Sequence, residues 1–278
     1  MSNPLPSRFT LDDLREARRN GKKLAMLTCY DFTMARLMEE SGIRLILVGD
    51  SAASVILGHD STIPVSLNFM IEITKAVRRG APRAFLIADM PFGSYHASTA
   101  AGVRSVCRMV KNTNCDCVKI EVAPRHTILV RRLADAGVAV MAHLGLRPQA
   151  VAVLGGYKAQ GRTRPAADAI VKQALAFERA GAVAILLEAV PPDVSQQVVN
   201  AVGVPVVGCG AGPACHAHVV VTHDMLKLTP RAPKFVPVLA DMAAGMKAAF
   251  AGYMDQIARE QYPGPEHAYS MLHDPAKR

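Results

Sequence analysis

Leu45-Ile46-Leu47-Val48-Gly49-Asp50-Ser51 is a continuous apolar run that stops at glycine and then delivers a carboxylate and a hydroxyl. Such a run predicts a strand buried on both faces, as in a parallel sheet covered by helices. The design recurs: Ala84–Ala88 ends in Asp89, Cys117–Ile120 in Glu121, Val138–Ala142 in His143, and Val183–Leu187 in Glu188. In parallel α/β proteins the C-terminal ends of strands gather on one face, where ligands bind. Several strands are therefore expected to build one site together.

Working outward, Leu24–Cys29 supplies an earlier strand, and Val204–Gly208 and Val219–Asp224 supply two later ones. Between them lie helical patterns closed by glycine or proline, such as Leu67–Arg79 before Gly80 and Pro192–Ala201. Eight strands alternating with helices predict one α/β domain over residues 1–278, a (β/α)8 TIM barrel. A doubly wound sheet is the alternative, but Gly49-Asp50-Ser51-Ala52 lacks its G-x-G-x-x-G turn. Residues 1–22 are expected to form a helical extension with Thr10 as N-cap. Val238–Glu260 is expected to be helical, and residues 270–278 a disordered tail. Residues 144–164 read as a long loop, a length that suits a functional lid.

Composition narrows the function. The 278 residues are half apolar, with no leader pattern at the N-terminus and no uninterrupted run of the ~20 residues needed to cross a bilayer. A cytoplasmic location is expected, with no membrane partner. The net charge of +9 comes mainly from scattered pairs such as Arg18-Arg19 and Arg78-Arg79. With 5% aromatic residues and no Trp, the basic and aromatic surface of a nucleic-acid binder is missing. None of the six cysteines forms a C-x-x-C pair, and most sit in or beside apolar runs, as buried free thiols do.

Three strand-end carboxylates, Asp50, Asp89 and Glu121, offer the hard oxygen ligands that suit magnesium better than zinc. Any one of them could instead cap a helix or pair with a lysine. Glu188 follows a wholly apolar strand. Poor solvation there would raise its pKa toward that of a general base, unless Lys119 pairs with it. Lys119 and His143 on the same rim would neutralise an anionic substrate, while Ser51 could bind a carboxylate or cap the next helix. Gly208-Cys209-Gly210-Ala211-Gly212 could offer amides to an anion or simply make a tight turn.

Taken in order, these residues resemble the ketopantoate hydroxymethyltransferase family. The resemblance is carried by Thr28-x-Tyr30-Asp31, Val48-Gly49-Asp50-Ser51, Gly58-x-Asp60-Ser61-Thr62-x-Pro64 and Ala88-Asp89-x-Pro91-Phe92. It continues through Val118-Lys119-Ile120-Glu121, His143-Leu144-Gly145-Leu146-x-Pro148-Gln149, Gly155-Gly156-Tyr157-Lys158, Leu187-Glu188-x-Val190-Pro191 and Pro233-Lys234-Phe235-Val236. Collinear motifs cover about residues 22 to 269. The resemblance implies a barrel of the phosphoenolpyruvate mutase/isocitrate lyase type, assembled as a homodecamer. It also implies transfer of a one-carbon unit from 5,10-methylenetetrahydrofolate to 3-methyl-2-oxobutanoate, giving 2-dehydropantoate for pantothenate biosynthesis. By the same carry-over, Asp50, Asp89 and Glu121 form the Mg2+ site, Asp50, Ser51, Asp89 and Lys119 contact the oxo acid with His143 beside them, and Glu188 accepts the proton.

The chain departs from the family pattern at several places. Val122-Ala123 replace two glycines, Ala142 replaces a glycine, Ile73 stands at a position usually histidine, and His216-Ala217-His218 replace Asp-Gly-Gln. Side chains at the glycine positions could narrow the rim or tilt Glu121. His216 and His218 could share a metal only if they lay on a strand. Two rival readings therefore stand beside hydroxymethyl transfer: a related barrel enzyme making or breaking a C–C bond on another 2-oxo acid, and a non-catalytic barrel.

Overall fold

A computed structural model describes residues 7–271. It contains a closed barrel of eight parallel strands in sequential order: β1 (Leu24–Thr28), β2 (Leu45–Val48), β3 (Phe85–Asp89), β4 (Cys117–Glu121), β5 (Val140–Gly145), β6 (Ala184–Glu188), β7 (Val206–Cys209) and β8 (Ala217–Val220). The α-helices are α1 (Leu11–Arg19), α2 (Phe32–Glu40), α3 (Ala52–Val55), α4 (Leu67–Gly80), α5 (Thr99–Thr113), α6 (Thr127–Asp135), α7 (Val151–Leu154), α8 (Arg164–Arg179), α9 (Pro192–Ala201), α10 (Thr222–Met225) and α11 (Met242–Ala258). The barrel and the N-terminal helix expected from the sequence are both present. Thr10 caps α1 reciprocally with Asp13, each side chain accepting from the other residue's backbone amide.

Two compact units can be distinguished. The first runs as far as Thr222 and includes Pro233–Val236; the second comprises His223–Ala232 and the chain from Pro237 onward. In the second unit, α11 starts from an Asp241 cap and exposes Met242, Met246, Phe250, Tyr253, Met254 and Ile257. The disordered tail expected over residues 270–278 lies, apart from Ser270 and Met271, outside the described residues. Among the described residues no helix is long and apolar enough to cross a membrane.

Alternation along the strands explains the barrel. Met26, Leu45, Leu47, Phe85, Ile87, Cys117, Met141, Ala184, Leu186, Val207, Ala217 and Val219 fill its interior, joined by Leu14 from α1. The neighbouring positions, among them Ile46, Val48, Leu86, Ala88, Val118, Ile120, Ala142, Ile185 and Leu187, pack outward with the helices. Each fully buried side chain of this size contributes roughly 1.5–3 kcal/mol. The inward positions continue past the apolar residues to Asp89, Lys119, Glu121, His143 and Glu188. The register aligns them, pairing Asp89 with Lys119, Glu121 with His143, and Gly145 with Glu188.

Two expectations need correction. The eighth strand covers Ala217–Val220, not Val219–Asp224. Thr222 starts a short helix instead, because its amide donates to the Thr28 hydroxyl at 3.0 Å and its hydroxyl to the Thr28 carbonyl at 2.6 Å. Residues 144–164 are not a plain loop either. β5 continues through Gly145, Pro148–Ala150 form a 3-10 turn, and α7 follows until Gly155 stops it in a left-handed conformation.

Candidate active site

The C-terminal ends of β2 to β6 bring together every residue expected at the site. Asp50, Asp89, Lys119, Glu121 and His143 are each at most 5% exposed, and the Glu188 side chain is 19% exposed. Such burial of ionisable groups is costly unless they are paired. The structure shows how each is accommodated.

Of the two alternatives the sequence allowed, Asp89 takes the lysine pairing and caps no helix. Its Oδ1 lies 3.0 Å from Lys119 Nζ, and its Oδ2 accepts from the Asp50 backbone amide at 3.0 Å. Burial raises the Asp89 pKa; Lys119 works against that rise and Asp50 adds to it. Burial alone would pull the Lys119 pKa down, but Asp89, Asp50 and Glu121 more than offset it, so the ammonium stays charged. Lys119 thus pairs with Asp89 rather than with Glu188. Glu121 accepts from the Gln149 backbone amide at 3.0 Å through Oε2, while its Oε1 has no hydrogen-bond partner. Burial and the nearby Asp50 carboxylate push its pKa well up.

His143 is neutral, because burial first and the Lys119 ammonium second hold its pKa well below the usual value. Its Nδ1 lies 3.3 Å from Lys119 Nζ. The ammonium can only donate, so Nδ1 accepts and Nε2 carries the ring proton. That Nε2 stands 3.3 Å from Glu188 Oε2 without the alignment of a hydrogen bond, and with a neutral ring the contact is not an ion pair. Burial raises the Glu188 pKa to about 7, despite the opposing field of Lys119. Such a carboxyl is poised to exchange protons near neutral pH.

The backbone around Glu188 is tightly specified. A Cβ on Gly145 would come within 2.3 Å of the Glu188 carbonyl oxygen, and Gly145 itself has φ +87°. Ala189, directly after Glu188, also sits in the left-handed region at φ 47°, a conformation that strains a non-glycine residue. Its carbonyl accepts from Gln160 and its amide donates to Cys209, which holds the turn. Gly49 serves the other side of the site. A Cβ there would meet Ser51 Oγ at 2.6 Å. Ser51 makes no capping bond, so that alternative is absent; its hydroxyl lies 2.8 Å from Tyr30 OH, which in turn donates to Thr28 Oγ1 at 2.9 Å.

Four residues given no role in the sequence reading complete this framework. Tyr30 and Thr28 order Ser51, whereas Gln149 and Tyr95 order the carboxylates. Tyr30, Thr28 and Gln149 belong to motifs that carry the family resemblance, but spacing alone does not say that they reach the site. Tyr95 lies between β3 and α5 and leaves no such signal.

Val122, Ala142 and Ile73 belong to the outer apolar layer between strands and helices. His216 accepts from the Val206 amide through Nδ1 at 2.9 Å, a structural bond, and His218 follows on β8. Gly210 and Gly212 make room for the Phe235 ring and for Pro192, so packing accounts for that turn. Cys29, Cys115, Cys117 and Cys215 are buried free thiols, and Cys107 is an exposed one. Among the described residues no three histidine, cysteine or carboxylate side chains stand closely enough together to enclose a metal ion.

Comparison with solved structures supports the architecture. Phosphonopyruvate hydrolase, in a complex with oxalate and Mg++, aligns with TM-score 0.61 at 16% identity, covering 95% of this chain and 93% of that one. 2,3-Dimethylmalate lyase, a PEP mutase/isocitrate lyase superfamily member, aligns with TM-score 0.59 at 18% identity over 98% of this chain and 93% of that one. At these identities the likeness concerns the fold. Sequence relatives go further. The 3-methyl-2-oxobutanoate hydroxymethyltransferase of Heliobacterium modesticaldum is 44% identical, covering 96% of this chain and 97% of the relative. That of Thermobifida fusca is 43% identical over 95% of this chain and 94% of the relative. The family model for ketopantoate hydroxymethyltransferase matches residues 8–265. The chain belongs to the ketopantoate hydroxymethyltransferase family and is one of its hydroxymethyl-transferring enzymes.

Proposed function

We propose that the rim of this barrel removes a proton from C3 of 3-methyl-2-oxobutanoate and joins that carbon to a one-carbon unit from 5,10-methylenetetrahydrofolate. The observation that carries the reading is Glu188, with its pKa raised to about 7, standing 3.3 Å from a neutral His143 on the same rim as Lys119, Asp89 and Asp50. Glu188 takes the C3 proton, and the C–H electron pair becomes the C2–C3 double bond of an enolate. The backbone turn at Ala189 holds the strand end that carries the carboxylate, with His143 beside it. Lys119 and the Ser51 hydroxyl bind the carboxylate end of the oxo acid. The nucleophilic C3 then bonds to the donor's methylene carbon. Both C–N bonds of that methylene carbon break: one water supplies the hydroxyl group, and its second proton together with the one taken from C3 ends on N5 and N10, so 2-dehydropantoate forms and tetrahydrofolate leaves.

The donor set fits magnesium. Burial and the neighbouring Asp50 carboxylate raise the pKa of Asp89 and of Glu121, and Glu121 Oε1 has no hydrogen-bond partner, so a cation would relieve both penalties. Magnesium is commonly held by one or two carboxylates, with water and substrate oxygens filling the other positions, so an all-protein cage is not required. Asp50 and Asp89 would hold it, with Glu121 at or behind the coordinated water. When bound it would polarise the keto oxygen as a Lewis acid. The exposed apolar side of α11 suits a homo-oligomer, a decamer by family resemblance, working in the cytoplasm.

The test is exchange of the C3 proton for deuterium in deuterium oxide, followed by NMR with magnesium, with EDTA, and with Glu188→Gln. Magnesium-dependent exchange that vanishes in the variant is expected. Adding methylenetetrahydrofolate should then yield 2-dehydropantoate. Exchange without that product would favour a barrel enzyme for another 2-oxo acid, and no exchange with any 2-oxo acid would favour the non-catalytic reading.

A further inference from the structure

Each of the three buried carboxylates has one oxygen held by a scaffold N–H. Asp89 Oδ2 is held by the Asp50 amide at 3.0 Å. The other two are held by a single residue. Gln149 donates its backbone amide to Glu121 Oε2 at 3.0 Å and its side-chain Nε2 to Asp50 Oδ2 at 2.8 Å. Of the opposite oxygens, Glu121 Oε1 has no hydrogen-bond partner, and Asp89 Oδ1 faces the Lys119 ammonium.

The Gln149 amide has its orientation fixed. Nε2 also donates to the Met90 carbonyl at 3.0 Å, so both of its hydrogens are committed. Oε1 accepts from Tyr95 OH at 2.7 Å, and that hydroxyl also lies 3.2 Å from the Glu121 carbonyl. A hydroxyl has one proton to give, and the shorter contact takes it. Reversing the amide would set NH2 against the Tyr95 donor and an oxygen against the Met90 carbonyl. Gln149 is 7% exposed and Tyr95 2%, so water offers little substitute. Through this one residue the segment after β5 ties together the ends of β2, β3 and β4.

We propose that Gln149, locked by Tyr95, is the positioning residue that sets Asp50 and Glu121 apart and turned to receive a divalent cation. The inference rests on the magnesium-assisted reading of the site. Outer partners of metal-binding carboxylates typically account for about 10–100-fold in metal affinity. An ionised glutamate at this position could not donate to Asp50 and would add a further negative charge, whereas the neutral amide donates without one.

The experiment measures Mn2+ binding to the protein without substrate, from the electron paramagnetic resonance signal of free Mn2+, for wild type, Gln149→Met and Tyr95→Phe. Methionine keeps the bulk of glutamine without its side-chain donors, so Asp50 loses its partner while the backbone amide still holds Glu121. The expected result is a Kd raised about 10–100-fold in Gln149→Met and about 3–10-fold in Tyr95→Phe. Deuterium exchange should recover most of its kcat at saturating Mn2+, because Glu188 is untouched. Binding by folded Gln149→Met within twofold of wild type would overturn the proposal while leaving the metal reading intact. If Gln149→Met does not fold, Tyr95→Phe decides, and an unchanged Kd there overturns it. Wild-type protein that binds no Mn2+ would overturn the metal reading itself, and the proposal with it.

Discussion

The two ends of the barrel interior are built by the same strands at the same alternating positions, yet they behave oppositely. Toward the strand starts, Phe85, Cys117, Met141 and Ala184 bury apolar surface. Four residues further along the same strands, or two at β5, stand Asp89, Glu121, His143 and Glu188. The first end stabilises the fold by removing carbon from water. The second opposes it, as the raised carboxyl pKa values and the depressed histidine show. The difference teaches that this barrel's apolar packing and its cluster of ionisable groups lie at opposite ends of shared strands, so mutations should separate stability from the proposed activity.

The sharpest way to break that contrast is Glu188→Gln. Exchange at C3 should fall by about 10²–10⁴-fold, the usual worth of a general base, while the unfolding midpoint in denaturant stays equal or rises. A large loss of stability would mean that Glu188 is structural. At the other end, Phe85→Ala should cost about 3–5 kcal/mol in denaturant unfolding, while the protein that remains folded keeps its exchange rate. A rate that fell in proportion would show that the two ends are coupled.

Acidity gives a third handle. Glu188 titrates near 7 in the folded chain against an ordinary 4.5, so the folded state binds the proton more tightly. Its contribution to stability is complete below about pH 4.5 and is lost as pH rises through about 7, a change of roughly 3 kcal/mol at most. Exchange should run the other way, rising about tenfold per pH unit and levelling off above pH 7. Activity and stability measured on the same samples should therefore cross. Glu188→Gln should flatten its share of the stability curve. The smallest effect is expected from Tyr30→Phe, which frees Ser51 from its partner. KM for the oxo acid should rise about 3–10-fold with kcat little changed, as loss of one hydrogen bond of about 1 kcal/mol implies.

What the sequence made legible follows from the same contrast. An ionisable residue closing an apolar run is conspicuous, and so Asp50, Asp89, Glu121, His143 and Glu188 could be read directly. Gln149 and Tyr95 could not, because an amide and a phenol in connecting segments look like any polar loop residues until folding brings them beside carboxylates 28 to 99 positions away. The end of β8 is illegible for a related reason. Val219-Val220-Val221 is as apolar as a strand should be, but the end of the strand is set by bonds from Thr222 to Thr28, which no local pattern encodes.

Those two bonds also bear on how the chain is made. They join positions 194 residues apart, and β1 pairs with β8 along the same seam. Contacts of such separation carry a large loop-closure cost and form late. While the chain emerges in order from a ribosome, β1 keeps an open edge until most of the polypeptide has been synthesised, and an unpaired edge invites the wrong neighbour. The Thr28–Thr222 bonds fasten the seam between the first strand and the last, and Thr222→Val should show itself first as aggregation during synthesis.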